Sequence, residues 1–169
     1  TSLSALRLAE LMMAAGLPAG VLNIVTGLGS ETGAALAAHH DVDKIAFTGS
    51  TVTGRAVLDA AKTNFKRVTL ELGGKSPSIV LPDADLNLAI PGVANAIFFN
   101  SGQVCIAGSR LYVHRSFQDQ VIEGVISHAR GLKLGHGLIS GTQMGPLVSR
   151  RQADRVAGFL DRARACGAN

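Results

Sequence analysis

The chain has few aromatic residues and no long apolar run. Its 169 residues include six phenylalanines, one tyrosine and no tryptophan. So few aromatic rings leave little surface for base stacking, and the basic residues behind the net charge of +4 are scattered, with no run beyond Arg150-Arg151. We therefore expect no nucleic-acid partner. Since no apolar segment is long enough to span a bilayer, we also expect no membrane association.

Cysteines are few, and metal-ligand patterns are missing from the sequence. The two cysteines, Cys105 and Cys166, lie far apart and lack the spacing of a metal site. This usage favours free thiols in a reducing compartment over a disulfide scaffold, so we expect a cytoplasmic protein. The five histidines show no ligand spacing either, and we predict no metal site. Cys166 lies in a charged terminal helical pattern, and we interpret it as an incidental thiol.

The residues that are present can build a folded core. Hydrophobic residues make up 47% of the chain, which is enough for a domain of this size. The sequence starts without methionine inside one apolar helical pattern and stops just after another. We therefore interpret it as an internal piece of a longer protein.

Hydrophobic periodicity predicts alternating strands and helices. Short apolar runs predict strands at 21–25, 44–47, 68–72, 78–81 and 111–114. Helices are predicted along the stripe from Leu8 to Ala15, at 31–39, around Val57 to Ala61, at 85–99 with a kink at Pro91, and after capping boxes that begin at Ser116 and Ser149. The apolar stripes of the last two helices are expected to face a core. They are Ile122, Val125, Ile126 and Ala129 in the first of these helices and Ala153, Val156, Ala157 and Leu160 in the second. Strands separated by helices of this length predict a doubly wound, parallel α/β sheet.

Two glycine loops follow predicted strands, where backbone N–H groups and a helix dipole can hold phosphate. The loop at 27–33 is one residue too long for the usual dinucleotide fingerprint, and the loop at 49–54 lacks one glycine. Each is also compatible with an ordinary tight turn. The second loop is the better candidate, because Ser50 and Thr51 place hydroxyl donors at the start of a helix.

Glu71 lies between Leu70 and Leu72 in a predicted apolar strand. A carboxylate is costly there unless it is paired or can take up a proton. A desolvated carboxylate is suited to act as a general base near neutral pH. The alternative is a structural role, with Glu71 on a polar face or paired with Lys75 or Arg67.

Cys105 lies inside F-F-N-S-G-Q-V-C-I-A-G-S-R, residues 98–110. A cysteine nucleophile needs an exposed thiolate and nearby backbone N–H donors, and the small residues Gly102, Ala107 and Gly108 permit such an approach. The alternative is a buried cysteine that acts only as a small hydrophobic residue. Composition alone favours that alternative.

Three motifs, taken in their order along the chain, decide between the catalytic and the structural interpretations of Glu71 and Cys105. F-T-G-S-T-V-T-G, L-E-L-G-G-K-S-P and F-F-N-S-G-Q-V-C-I-A-G-S-R, at these separations, resemble the NAD(P)-dependent aldehyde dehydrogenase superfamily. The resemblance extends through nearly the whole chain, including G-L-P-A-G-V-L-N-I-V at 16–25 and T-Q-M-G-P-L-V at 142–148. It implies an aldehyde-dehydrogenase-like fold that is incomplete in this chain.

The resemblance also implies site residues and a reaction. Cys105 is implied as the nucleophile and Glu71 as the general base. The cofactor-binding positions implied are Gly49, Ser50, Pro18, Gly20 and Leu72, with Pro18 and Gly20 near the adenine. Ser101 stands where many relatives carry a larger polar residue and is expected to border the substrate tunnel. The parent enzyme is expected to oxidise a small-molecule aldehyde to a carboxylic acid with NAD or NADP, through a thiohemiacetal and a thioester on Cys105.

By the same resemblance, residues 1–73 form the C-terminal part of a dinucleotide-binding domain and residues 74–169 the N-terminal part of a catalytic domain. We expect the parent to be a homodimer or homotetramer. The segment alone is expected to be inactive, because family elements such as the oxyanion-hole asparagine have no counterpart in it. A catalytically silent aldehyde-dehydrogenase-like structural or interaction module is the main alternative, and a thiol hydrolase is a weaker one because no Cys–His pairing is visible.

Overall fold

The computed structural model describes residues 2–168 and divides the chain into two compact units. The first ends at Leu72 and the second begins at Gly73. The roles predicted for residues 1–73 and 74–169 stay predictions. Within residues 2–168, helices are either too short or too polar to cross a membrane.

The first unit is built on one parallel strand pair. Its elements are α1 (Ser2–Ala14), a π-helical turn (Gly29–Gly33), α2 (Ala34–Ala38), β1 (Lys44–Thr48), α3 (Thr51–Ala61) and β2 (Arg67–Glu71). β1 and β2 pair in parallel, from Lys44 opposite Arg67 to Thr48 opposite Glu71. Parallel neighbours need a crossover, which α3 supplies, so this unit contains a β-α-β arrangement.

The strand predicted at 21–25 is wrong. This segment has no regular secondary structure, and Val21 and Val25 are 65% and 75% exposed. A strand exists only when a neighbour completes its backbone hydrogen bonds, and no segment among the described residues pairs with this one. The helix predicted at 31–39 is present as the π-helical turn followed by α2.

A buried lysine closes the C-terminal end of α2. The Lys66 ammonium, in a residue only 7% exposed, donates to the carbonyl oxygens of Ala37 at 2.8 Å and His39 at 2.7 Å. A cation there satisfies carbonyl groups that the helix leaves without partners and complements the negative end of its dipole. The C-terminal end of α2 is therefore held by the side chain of Lys66, which is distant in sequence.

The second unit also contains a parallel strand pair. Its elements are β3 (Pro77–Val80), α4 (Leu86–Phe98), a 3-10 turn (Phe99–Gly102), β4 (Arg110–Val113), a second 3-10 turn (Arg115–Phe117), α5 (Gln118–Gly131) and α6 (Arg150–Ala165). β3 pairs with β4 from Pro77 opposite Arg110 to Val80 opposite Val113. The helix predicted at 85–99 continues through Pro91 without a break in its helical assignment.

The two predicted capping boxes have different outcomes. Ser149 caps α6, because its hydroxyl oxygen accepts from the Gln152 N–H at 3.2 Å. Ser116 caps no helix: α5 begins two residues later, and the Ser116 N–H donates to His114 Nδ1 at 3.3 Å. The Ser116 prediction is wrong because a neighbouring imidazole competes for the local hydrogen bonds.

The buried core is small in each unit. In the first unit it contains Ala37 and Ala61, and in the second Val80, Ala94, Ala107 and Val121. α6 has no buried residue, so its apolar stripe does not face a core within residues 2–168. In α5 the buried residue is Val121, while Ile122 is exposed, which displaces the predicted stripe by one position.

Candidate active site

Cys105 lies exposed in a tight turn that joins α4 to β4. The turn is closed by the Ala107 N–H, which donates to the Val104 carbonyl at 3.1 Å. The Cys105 N–H has no hydrogen-bond acceptor among residues 2–168. A thiol and an uncommitted backbone donor therefore belong to the same residue, which is the arrangement needed to hold an oxyanion formed on attack.

Two glycines pack tightly against this turn. A Cβ placed on Gly74 would lie 2.7 Å from the Cys105 carbonyl oxygen. A Cβ on Gly108 would lie 3.1 Å from the Ala96 side chain, and the Gly108 N–H donates to the Ala96 carbonyl at 2.9 Å. Both positions need glycine because neighbouring atoms occupy the space of a side chain. Gly74 belongs to the L-E-L-G-G-K-S-P motif, but the motif alone does not predict its contact with Cys105.

Glu71 is the last residue of β2 and is exposed. The expectation of a carboxylate in desolvated surroundings is therefore wrong for this chain: β2 alternates faces, and Glu71 lies on its open face while Leu70 is partly buried. Its side chain makes no ion pair with Lys75 or Arg67 in the described structure. The Glu71 carboxylate is thus uncommitted, while its backbone carbonyl accepts from the Gly49 N–H at 3.0 Å.

Gly49 follows β1 and is held close to Phe47. A Cβ on Gly49 would lie 2.5 Å from the tip of the Phe47 ring. Because its N–H is committed to the Glu71 carbonyl, Gly49 has no free backbone donor for a phosphate. Its contribution at this position is the absence of a side chain.

Ser50 caps the N-terminus of α3. Its hydroxyl oxygen accepts from the Thr53 N–H at 3.1 Å and lies 2.9 Å from Thr53 Oγ1. The cap satisfies only one of the donors that a helix start leaves open, so the N–H groups of Thr51 and Val52 are not used by it. These two donors, together with the positive end of the α3 dipole, fit a phosphate group.

One cavity joins the two glycine loops. It has a volume of about 980 Å³ and lies between the π-helical turn, α2, β1 and α3. Gly29 and Gly33 of the first loop line it together with Phe47, Val52 and Ala56. Its size and mostly apolar lining fit a flat apolar group such as the base of a nucleotide. The two loops are separate in the sequence, which does not predict that they line one cavity.

The remaining predicted cofactor residues lie in the first unit. Gly20 has φ +87°, a conformation that favours glycine, and its carbonyl accepts from the Asn23 side chain at 2.8 Å. The Pro18 carbonyl accepts from the Val21 N–H at 3.3 Å in the same turn. Leu72 packs on α3, since a Cβ on Gly54 would lie 2.8 Å from its side chain. Leu72 therefore supports α3 by packing.

The structure also brings together His39, His40 and Asp41, whose possible ligand atoms lie within 4.8 Å of one another. The two imidazole rings stack with centroids 5.1 Å apart and planes inclined by 20°. Ring nitrogen lone pairs in nearly parallel planes do not converge on one ion. The Lys66 ammonium on the His39 carbonyl adds positive charge nearby. This arrangement does not support a metal site.

The family comparisons agree with the fold. The model of the aldehyde dehydrogenase family matches residues 1–169. Phenylacetaldehyde dehydrogenase of Pseudomonas fluorescens is 54% identical over 156 residues, which are 92% of this chain and 31% of that protein. An aldehyde dehydrogenase from Bacillus cereus, solved as its NAD+ complex, is 49% identical with a TM-score of 0.95, covering 98% of this chain and 34% of that one. PnpE from Pseudomonas sp. WBC-3 is 51% identical with a TM-score of 0.95, covering 99% and 34%.

The chain belongs to the aldehyde dehydrogenase family. It spans about a third of the length of these relatives. The predicted family and the predicted incomplete α/β fold are confirmed.

Proposed function

We propose that the protein containing this chain is an NAD(P)-dependent aldehyde dehydrogenase, and that Cys105 is its nucleophile. The observation that carries this proposal is the exposed Cys105 thiol beside its own uncommitted N–H. A structural cysteine is typically buried and inert, so exposure in a turn held by close glycine contacts favours a chemical role. The named activity of the Pseudomonas fluorescens relative supports the same reaction class.

The chemistry follows from the thiol and its surroundings. The Cys105 thiolate attacks the aldehyde carbon and forms a C–S bond, which gives a thiohemiacetal whose oxyanion accepts from the Cys105 N–H. Loss of a hydride, which takes the bonding electron pair, oxidises this carbon to a thioester on Cys105. Water then attacks the thioester, the C–S bond breaks, and the carboxylic acid leaves with the thiolate regenerated.

The first unit supplies cofactor-binding residues in this proposal. NAD or NADP, when bound, supplies the nicotinamide that accepts the hydride. The start of α3, with Ser50 as its cap, holds a phosphate of the dinucleotide, and the cavity at Val52 and Ala56 takes an apolar part of it. Gly49 keeps the loop free of a side chain. The NAD+ complex of the Bacillus cereus structure supports this choice of cofactor.

Glu71 is the proposed general base of the hydrolytic step. Its carboxylate is exposed and unpaired, so it can accept a proton from water without first breaking an ion pair. In the chain it precedes by three residues Gly74, the glycine that packs on the Cys105 carbonyl. The further proposals are a small-molecule aldehyde as substrate, a homodimer or homotetramer, and a cytoplasmic location, the last supported by two free cysteines.

Activity of the full-length protein tests this function. We expect reduction of NAD or NADP with a panel of aldehydes, and Cys105→Ala to lower turnover by more than about a hundredfold, or roughly 3 kcal/mol in barrier terms. Cofactor affinity should stay within about twofold, because the thiol acts on the aldehyde. Cys166→Ala is the matched control, since Cys166 is also a free, exposed thiol. Turnover that survives in Cys105→Ala would contradict the assignment, and rapid alkylation of Cys105 without any aldehyde oxidation would favour a silent module.

A further inference from the structure

The residues that lead into the Cys105 turn adopt a backbone conformation that residues other than glycine usually avoid. Asn100 and Ser101 have φ values of 50° and 57°, and Gly102 follows with φ 72°. Glycine adopts this left-handed region freely, but two consecutive residues with a Cβ are disfavoured there. Such a turn persists only when surrounding contacts hold it.

Gln103 supplies most of the local contacts. Its N–H donates to the Asn100 carbonyl at 3.1 Å, and its side-chain amide nitrogen, Nε2, donates to the same oxygen at 3.3 Å. The Asn100 amide nitrogen, Nδ2, donates back to the Gln103 carbonyl at 3.2 Å. Asn100 and Gln103 therefore close the left-handed turn by three hydrogen bonds.

The same glutamine also reaches a distant part of the chain. Its Oε1 accepts from the Val148 N–H at 2.9 Å. Beside it, the Ser101 hydroxyl donates to the Gly145 carbonyl at 2.9 Å. Two neighbouring side chains of the turn thus bind the segment Gly145–Val148, and in Gln103 one amide group binds the turn with its nitrogen and this segment with its oxygen.

We propose that Gln103 is a positioning residue that sets where the Cys105 thiol lies. This role rests on the proposed function of Cys105. Cys105 follows Gln103 by two residues, and Val104 and Cys105 have no side-chain hydrogen bond of their own among the described residues. The placement of the thiol therefore depends on the turn before it and on the Gly74 contact behind it. A glutamine amide suits this position because its nitrogen donates to the turn while its oxygen accepts from the Val148 N–H.

A pair of glutamine substitutions in the full-length enzyme tests this role. Gln103→Met keeps the side-chain length but has no donor and only a weakly accepting sulfur. Gln143→Met is the matched control, because Gln143 Oε1 makes the same type of bond in the same unit, accepting from the Lys133 N–H at 2.9 Å. We expect Gln103→Met to lower kcat at least about tenfold with KM for the cofactor within about twofold, and Gln143→Met to change neither by more than about twofold.

Two further measurements separate placement from folding and from thiol reactivity. Gln103→Glu keeps the acceptor for the Val148 N–H, and we expect its kcat to exceed that of Gln103→Met by about threefold or more. Alkylation of Cys105 by iodoacetamide, at alkaline pH where thiols are ionised, should change less than about threefold in Gln103→Met, with Cys166 as internal reference. A fall in kcat without a matching fall in alkylation is the signature of a misplaced but reactive thiol.

The outcomes are distinct. Equal losses of kcat in the two methionine variants, or a Gln103→Met enzyme within about twofold of wild type, overturn the positioning role. If Gln103→Met does not fold, Ser101→Ala removes the parallel bond to Gly145 and should lower kcat about threefold, and an unchanged kcat again overturns the role. A wild-type enzyme that oxidises no aldehyde overturns the proposed function, and this role falls with it.

Discussion

The loop after β1 and the turn at Cys105 each contain a glycine packed closely by neighbouring atoms, yet they are held in different ways. After β1, Gly49 donates to the neighbouring strand at Glu71, and Ser50 caps its own helix. At the Cys105 turn, Ser101 and Gln103 bind residues 44 and 45 positions away in sequence. The first loop is a common βα connection that local sequence predicts. The second depends on distant contacts. Because it carries Cys105, substitutions there should lower kcat more than cofactor affinity.

Among the substitutions that test this comparison, Glu71→Gln is expected to lower turnover the most. The amide keeps the shape of the side chain but cannot act as a base, so steady-state turnover should fall about a hundredfold. The first hydride transfer should survive, and rapid mixing should show a burst of reduced cofactor close to one per active site. A burst that also slows would show that Glu71 acts before hydride transfer as well. A weaker cofactor affinity with unchanged steady-state turnover would assign Glu71 to binding instead.

Gly74→Ala tests the contact behind Cys105. The new Cβ would lie 2.7 Å from the Cys105 carbonyl oxygen, which is backbone and cannot rotate away. We expect kcat to fall at least about tenfold, because a small displacement of the thiol is costly to a reaction that needs alignment. Gly73→Ala is the matched control, since a Cβ there meets no atom within 4 Å. Equal kcat values for the two variants would show that the contact does not position Cys105.

Gly49→Ala should have a smaller effect, confined to cofactor binding. The added Cβ would lie 2.5 Å from the Phe47 ring, and moving that ring disturbs the cavity between β1 and α3. We expect cofactor affinity to fall about fivefold, or about 1 kcal/mol, by calorimetric titration. In a double-mutant cycle, Phe47→Leu removes the end of the ring and should restore part of the loss. If the two substitutions change cofactor affinity additively, the contribution of Gly49 to cofactor binding does not depend on Phe47.

Local signals account for most of what the sequence predicted correctly. β1, β2, β3 and β4 each lie within one residue of their predicted bounds, because each combines apolar residues with turn residues at its ends. The segment at 21–25 has the same composition but no partner strand among the described residues, and composition cannot show whether a partner exists. Cys105 and Glu71 could be named from motifs in the sequence. Gln103 could not, because its second partner, Val148, is 45 positions away.

The smallest expected effect compares two serines that have the same local signal. Ser149 caps α6 through the Gln152 N–H, whereas the Ser116 hydroxyl lies 2.8 Å from His114 Nδ1 and caps no helix. Ser149→Ala leaves a helix-start donor without its partner, which typically costs about 1 kcal/mol. Hydrogen exchange of amides in the middle of α6 should therefore speed up about fivefold in the full-length protein. Ser116→Ala should leave α5 amides within about twofold, because its hydroxyl satisfies no helix donor. Equal acceleration in both helices would show that the distinction between a cap and a neighbouring side-chain contact does not hold here.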